Sequence, residues 1–305
     1  MMYIITGGSG YIGGQLIKNI IAKGGKAINI DKNKPVEKIE GENFIKCDLT
    51  DLGKTRETIS SLDPKEEYVI IHLAGLFEKD MKKREEWKFG DFLSMNTFTT
   101  KNLVDELNRQ NLNVKSFIFS SAALVNCLEK INDFYPRSKL EAEEHIRKNP
   151  PSDSAHILRI SRVIGGLDNG RVSKDIISDF IKKMLSDDNI VLKGSDIQRD
   201  YIHMHDVCNI ILSPMHNGLD IKNVYSSEQI STRRIIEMLH EALLKKGFIK
   251  REKNIDFRED KDNPLPKIEG KTDFTDLLKH KTSEDVVRKT IDEYMEAMDK
   301  KIPFN

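Results

Sequence analysis

Ile4-Ile5-Thr6-Gly7-Gly8-Ser9-Gly10-Tyr11-Ile12-Gly13-Gly14 is a glycine run set between a strand and a helix. Upstream, Met2–Thr6 reads as a short buried strand; downstream, Ile12, Leu16, Ile17, Ile20 and Ile21 recur at helical spacing. Gly8, Gly10 and Gly13 fit G-x-G-x-x-G, and Gly7, Gly10 and Gly13 fit the looser G-x-x-G-x-x-G. Without Cβ atoms such a turn reaches positive φ, and its backbone N–H groups can approach phosphate oxygens. The following helix turns its positive end toward the same charge. A run of this kind in this setting predicts a turn that holds the pyrophosphate of a dinucleotide.

The next apolar stretch, Ala27-Ile28-Asn29-Ile30, ends in Asp31, 18 residues beyond Gly13. A carboxylate there accepts hydrogen bonds from the ribose hydroxyls and repels a 2′-phosphate, so NAD is expected over NADP. Strand-like and helix-like segments then alternate. Strands are predicted at 43–46, leading to Asp48-Leu49, and at 68–72, running into Leu73-Ala74-Gly75, with two more at 116–120 and 155–160. Helices are predicted at 51–62, 89–111 and 134–148. Such alternation builds a parallel sheet covered on both faces. The expected fold class is α/β: a Rossmann-type doubly wound parallel sheet over 1–164, with 200–217 returning to it, and a smaller C-terminal α/β substrate lobe over 165–305. In that lobe, helices are expected at 172–185, 231–246 and 283–299, a strand at 190–192, and a polar stretch at 260–273. Glu78–Lys88, dense in both charges, reads as a solvated loop or helix end.

Composition narrows the classes of function. Of 305 residues, 49 are Lys or Arg and 49 Asp or Glu, so no net field draws the chain to nucleic acid or to an anionic membrane. Cys47, Cys127 and Cys208 are scattered, odd in number and without metal-like spacing, which points to a reducing cytoplasm. The first strand starts at the second residue, which argues against a signal peptide, and no apolar run reaches bilayer length.

Tyr135-Pro136-Arg137-Ser138-Lys139 places a phenol and an ammonium four residues apart. On a helix they share one face, with Cβ atoms about 5–6 Å apart. A free phenol titrates near ~10, too high for a base at neutral pH. A neighbouring ammonium typically lowers such a pKa by ~1–3 units, and an oxidised nicotinamide adds to the effect. Following the fifth strand of a dinucleotide fold, Tyr135 and Lys139 are the expected catalytic pair.

With these residues in place, the chain resembles an extended short-chain dehydrogenase/reductase of the nucleotide-sugar epimerase/dehydratase family, with a UDP-galactose 4-epimerase-like pattern over nearly its whole length. The resemblance implies cofactor contacts from Gly7, Gly10, Tyr11, Ile12, Gly13 and Asp31. It implies others from Asp48 and Leu49 beside the adenine, from Leu73, Ala74 and Gly75, and from Asn96, Ser120, Tyr135 and Lys139. Arg199, within Arg199-Asp200-Tyr201-Ile202-His203, resembles an arginine that grips the substrate diphosphate; a guanidinium suits that anion through planar, bidentate bonding. From the residues alone, a plain ion pair of Arg199 with Asp200 or Asp196 is the favoured reading. His203 and His205, read as sharing one face of a strand with no other clear ligand, give no expectation of a metal.

The chain departs from the family pattern in three places. The family's catalytic hydroxyl falls on Ala122 when counted back from Val125, and on Ser121 when counted from the strand end; Ser121 is the expected catalytic hydroxyl. The loop from Ser121 to Tyr135 is short for the family. Arg162 replaces an asparagine and is either a second phosphate ligand or a surface charge. Ala122, Ala123 and Leu124 cannot move protons, which disfavours elimination. The expected function is NAD-dependent epimerisation of a nucleotide-diphosphate sugar at C4, by a homodimer paired through the 89–111 and 134–148 helices. The alternatives are a reductase of a keto-sugar or other small alcohol, and a cofactor-binding member without catalysis.

Overall fold

In the computed structural model, all residues are described except 76–87, 132, 169, 187–188, 227, 259–267, 269 and 305. The expected polar stretch at 260–273 and the charged stretch at 78–88 therefore lie largely outside the described residues. The first half alternates as predicted. In chain order it runs β1 (Met2–Thr6), α1 (Tyr11–Ala22), β2 (Lys26–Asp31), β3 (Glu42–Lys46), α2 (Leu52–Ser60) and β4 (Tyr68–His72). Next come α3 (Phe89–Phe92), a π-helical segment (Leu93–Phe98), α4 (Thr99–Gln110), β5 (Val114–Ala122), α5 (Phe134–Lys148) and β6 (Ser154–Ile160). Local chemistry sets the boundaries. Asp51 opens α2 by accepting the Lys54 N–H, and Asp133 opens α5 by accepting the Tyr135 N–H. Pro136 sits in the first turn of α5, where no intrahelical N–H is lost. α4 stops at Asn111, which adopts a left-handed conformation with φ of 50°.

The second half is richer in short strands than its sequence suggested. It runs β7 (Arg162–Ile164), β8 (Leu167–Asp168), β9 (Arg171–Val172), α6 (Ile176–Ser186), β10 (Asn189–Lys193), β11 (Gln198–Arg199), β12 (Tyr201–His203) and α7 (Met204–Ile211). β13 (Gly218–Val224), β14 (Ile230–Ser231), α8 (Thr232–Lys246), β15 (Asn254–Arg258) and α9 (Ser283–Asp299) complete it. Val172, expected to open a helix, pairs with Leu167 in β8; the helix starts at Ile176 because Asp175 accepts the Ile177 and Ser178 N–H groups.

The main sheet has seven strands in the order β13-β6-β5-β4-β1-β2-β3, and β3, β2, β1, β4 and β5 pair in parallel. Strand order reverses between β1 and β4, so their C-terminal ends form a topological switch point, the place where doubly wound sheets bind ligands. The core of this unit joins Ile4, Ile28, Ile30, Ile70, Phe117, Phe119 and Ile157 of the sheet to Leu103, Leu107 and Ile146 of the helices. Leu103 and Leu107 are thereby core residues.

The chain divides into two compact units, Met1–Arg159 with Ile211–Lys222, and Ile160–Ile210 with Asn223–Asn305. The first boundary falls five residues before the expected 164, and the returning segment is 211–222 instead of 200–217. The reason is a pairing the sequence did not reveal: β7 binds β12 in parallel, Arg162 to Tyr201 and Ile164 to His203, which keeps both strands in the second unit. That unit packs its own core from Ile177, Ile181, Tyr201, Ile235, Leu239, Val287, Ile291 and Tyr294. Among the described residues no helix is long and apolar enough to cross a membrane.

Candidate active site

The glycine turn lies at the switch point and is fixed from both sides. Gly7 has φ of +71°, and a Cβ on it would sit 2.8 Å from the Ala74 backbone N. A Cβ on Gly13 would sit 2.4 Å from the Gly7 O. Thus the turn after β1, the turn after β4 and the start of α1 approach more closely than side chains allow. Gly10 is the N-cap of α1 and offers no side-chain cap, and no acidic residue occupies the first turn, where Tyr11, Ile12 and Gly13 lie. The helix end thus keeps N–H groups for an anion. Asp31, closing β2, accepts the Ser9 N–H at 3.1 Å and the Asn33 N–H at 2.9 Å. A carboxylate has further lone pairs, so Asp31 still has capacity for ribose hydroxyls. These features fit a dinucleotide such as NAD.

Asp48 and Leu49 follow β3. Burial raises the Asp48 pKa, but hydrogen bonds from the Thr50 hydroxyl and N–H outweigh it and hold the carboxyl below its usual range. The Leu49 carbonyl accepts from Asn102 Nδ2 at 2.8 Å.

His72 organises the far side of the switch point. Its Nδ1 lies 2.6 Å from Thr6 Oγ1 and its Nε2 2.9 Å from Thr100 Oγ1, tying β4 to β1 and to α4. The Leu73 N–H bonds the Thr6 carbonyl and the Ala74 N–H the Thr6 hydroxyl, so the turn is held by its neighbours. Burial, aided by the Lys139 charge, pushes the His72 pKa down to about 3. The folded value lies below the unfolded one, so the unfolded chain binds the extra proton and stability falls as pH drops through the ordinary histidine range toward 3. His72→Gln, which keeps partners for both threonines, removes this dependence. The stability gap between wild type and variant, read from urea midpoints, is expected to narrow by roughly 1.4 kcal/mol per pH unit below about 6. Parallel acid curves would contradict this placement.

Tyr135 and Lys139 lie on one face of α5, both buried. Lys139 Nζ donates to the Ser120 carbonyl at 2.9 Å and lies 4.9 Å from the centre of the Phe119 ring. Ser120 thus acts here through its backbone. Burial pushes the Lys139 ammonium down to about 8, against the opposing pull of Glu143. A Cβ on Gly75 would meet Asn96 Oδ1 at 2.6 Å and Lys139 Nζ at 3.3 Å, so Gly75 leaves the space in which the lysine and Asn96 sit. Asn96, on the π-helical segment, donates from Nδ2 to Ser138 Oγ at 2.9 Å, and Ser138 Oγ donates to the Tyr135 carbonyl at 2.7 Å. π-Helical turns recur at functional sites because they re-aim one side chain of a helix. Asn96 therefore braces the very turn that carries Tyr135.

Ser121 stands differently from expectation. Its hydroxyl donates to Glu143 Oε1, and that carboxylate is also held by Arg159 through Nε at 3.0 Å and a terminal nitrogen at 2.6 Å. Ala122 instead packs with Tyr135 and Phe92, beside Met95 and Leu124. Successive strand residues point to opposite faces, so placing Ala122 at the tyrosine turns Ser121 away. The catalytic role expected of Ser121 is therefore withdrawn. Glu143 and Arg159 were missed in the sequence, although Tyr135, Lys139 and Glu143 recur every four residues along one helical face.

The remaining expected residues lie in the second unit. Arg162 is on β7 and half-buried; Arg199 is on β11, with a terminal nitrogen 3.0 Å from the Gln198 carbonyl. Asp196 pairs with Arg233 at 3.7 Å, and buried Asp200 accepts the Ser226 N–H and hydroxyl, both at 3.0 Å. His203 and His205 do not share a strand face. His203 ends β12 and His205 lies in the first turn of α7.

The profile of the NAD dependent epimerase/dehydratase family matches residues 3–226. The UDP-glucose 4-epimerase of Mycoplasma genitalium is 27% identical over 242 residues, covering 67% of this chain and 68% of that protein. The solved structure of a UDP-glucose 4-epimerase with UDP-glucose from Thermotoga maritima superposes with a TM-score of 0.76 at 18% identity, over 98% of this chain and 100% of that one. The Bordetella bronchiseptica enzyme WbmG, solved in complex with NAD and UDP, gives a TM-score of 0.74 at 17% identity, over 96% and 94%. At these identities the structural likeness carries the doubly wound fold, while the sequence profile spans the glycine turn, the Tyr135–Lys139 pair and the arginine segment alike. The chain belongs to the NAD dependent epimerase/dehydratase family.

Proposed function

We propose that the protein epimerises a nucleotide-diphosphate sugar at C4 by transient oxidation, with NAD as resident cofactor. The observation that carries this reading is the buried Tyr135–Lys139 pair, its ammonium fixed by the Ser120 carbonyl beside Gly75 at the switch point. Gly7, Gly10 and the start of α1 would hold the pyrophosphate, Asp31 the adenosine ribose, and Lys139 the nicotinamide ribose. When bound, NAD supplies a hydride acceptor and then a hydride donor at the sugar carbon. The Tyr135 phenolate takes the C4 hydroxyl proton as the carbonyl forms and returns it when the alcohol re-forms. The Lys139 charge favours that phenolate. Arg199, with Arg162, is assigned the diphosphate. The relatives named for UDP-glucose support this substrate class. Exposed Phe98 and Phe134, on the π-helical segment and on α5, support the homodimer that the family resemblance implies.

Proton NMR of the protein with candidate UDP-sugars tests the reading: a new set of anomeric and C4 signals is expected for at least one sugar, and none for any sugar would overturn it. Ala122, a methyl where a hydroxyl would steady the forming carbonyl, favours one rival, a cofactor-binding member without catalysis; the other rival is a keto-sugar reductase. That rival predicts net consumption or formation of reduced nicotinamide with substrate, where epimerisation predicts none. Asp31 gives a separate test. Asp31→Ser removes a charged acceptor for ribose and the repulsion of a 2′-phosphate. The preference for NAD over NADP, measured by equilibrium binding, is expected to fall by roughly 10–100-fold; an unchanged ratio would remove Asp31 from the cofactor site.

A further inference from the structure

We propose that His203, His205 and Glu293 form a zinc site within the second unit. β12 delivers His203, the first turn of α7 delivers His205, and α9 delivers Glu293. Their ligand atoms all lie within 4.8 Å of one another. His203 Nε2 is 3.1 Å from Glu293 Oε2, close to the separation of about 3.3 Å between two ligands on a tetrahedral zinc with bonds of ~2.0–2.2 Å. The two imidazole rings are 4.9 Å apart at 69°.

The backbone passes close to the two histidines, where side chains on it would intrude. Gly165 and Gly166 are consecutive left-handed residues, with φ of +87° and +72°. A Cβ on Gly165 would fall 2.3 Å from His203 Nε2, and one on Gly166 would lie 3.9 Å from His205 Nε2. Glu293 already has supporting contacts of the sort that orient a ligating carboxylate: the Gly166 N–H donates to its Oε2 at 2.8 Å, and Lys289 Nζ lies 3.4 Å from its Oε1. His280, whose ring is 5.0 Å from His203, is tied instead to Asp206 at 2.8 Å and stays outside the ligand set. Two imidazoles and one carboxylate are the donors of a three-ligand zinc site with one position left for water. Loading moves the His203 ring proton from Nε2 to Nδ1, at the expense of a long 3.3 Å contact from the His205 N–H.

The experiment is a zinc titration of the full, chelator-stripped chain against a chromophoric chelator. One zinc per chain is expected, and at least about tenfold weaker binding in both His205→Asn and Glu293→Gln, with His216→Asn unchanged. The metal-free melting temperature establishes that each variant is folded. A second readout needs no variant: cobalt added to the wild type should give the intense visible bands of a tetrahedral site. Zinc binding too weak to compete with the chelator, binding unaltered in both variants, or a weak octahedral cobalt spectrum would overturn the proposal.

Discussion

Tyr135→Phe is expected to lower turnover of the sugar nucleotide by about 10²–10⁴-fold, the usual worth of a positioned general base. The ring remains, and with it the packing against Phe92 and Ala122, so folding and NAD affinity should change little. The loss should appear in kcat and kcat/KM together, because on the proposed reading the phenol acts on the reacting proton more than on ground-state binding. Lys139→Met should produce a second, distinct phenotype: slower turnover together with weaker NAD binding, since on the proposed reading the ammonium serves both the phenolate and the ribose. A Tyr135→Phe enzyme retaining more than a tenth of wild-type turnover would mean that another group takes the proton. It would also revive the reading of a cofactor-binding chain whose tyrosine is structural.

The second large effect is on stability. Glu143 is almost fully buried and carries the Ser121 hydroxyl and two nitrogens of Arg159; Arg159 also reaches Asn126 Oδ1 at 2.5 Å. Glu143→Ala leaves the buried Ser121 hydroxyl and the part-exposed Arg159 guanidinium without their carboxylate; breaking a buried pair from one side costs about 3–5 kcal/mol, and the guanidinium's access to water places the loss toward the lower end of that range. Chemical denaturation should show that loss, whereas the Glu143→Ala/Arg159→Leu double variant should recover part of it, because no unpaired charge remains. Glu143 also opposes the effect of burial on Lys139. Its removal should lower the lysine pKa further and draw the alkaline limb of the pH–rate profile toward neutrality. A loss under about 1 kcal/mol would mean that water reaches this network and screens it.

Both effects hang on helix α5, and the sequence disclosed them unequally. The Tyr135–Lys139 spacing was readable because it is local: one helix face, four residues apart. The strands through β6 were readable for the same reason, since their apolar runs are bounded by Gly, Pro and Asp signals. Glu143 stood on that same face but could not be weighed, because its partner Arg159 arrives from β6 and only the sheet brings them together. Ser121 against Ala122 turned on a one-residue register, which flips a strand side chain from one face to the other. Asn96 entered through family likeness alone; the π-helical segment that aims it has no period that apolar spacing reveals.

The second unit was less legible for a physical reason. β7, β8, β9, β11, β12 and β14 are each two or three residues long, too short for alternation to register. The β7–β12 pairing that moves the unit boundary joins residues about forty positions apart. Glu293 lies 90 residues beyond His203, so two histidines that looked unsupported acquire a carboxylate only through packing of α9.

The central claim is tested most directly with a nucleotide sugar carrying deuterium at C4, incubated with the NAD-loaded protein in ordinary water. Retention of the label at C4 of the inverted product, with no net change in reduced nicotinamide, is the result this account predicts. Epimer that has exchanged its deuterium for solvent hydrogen would contradict it.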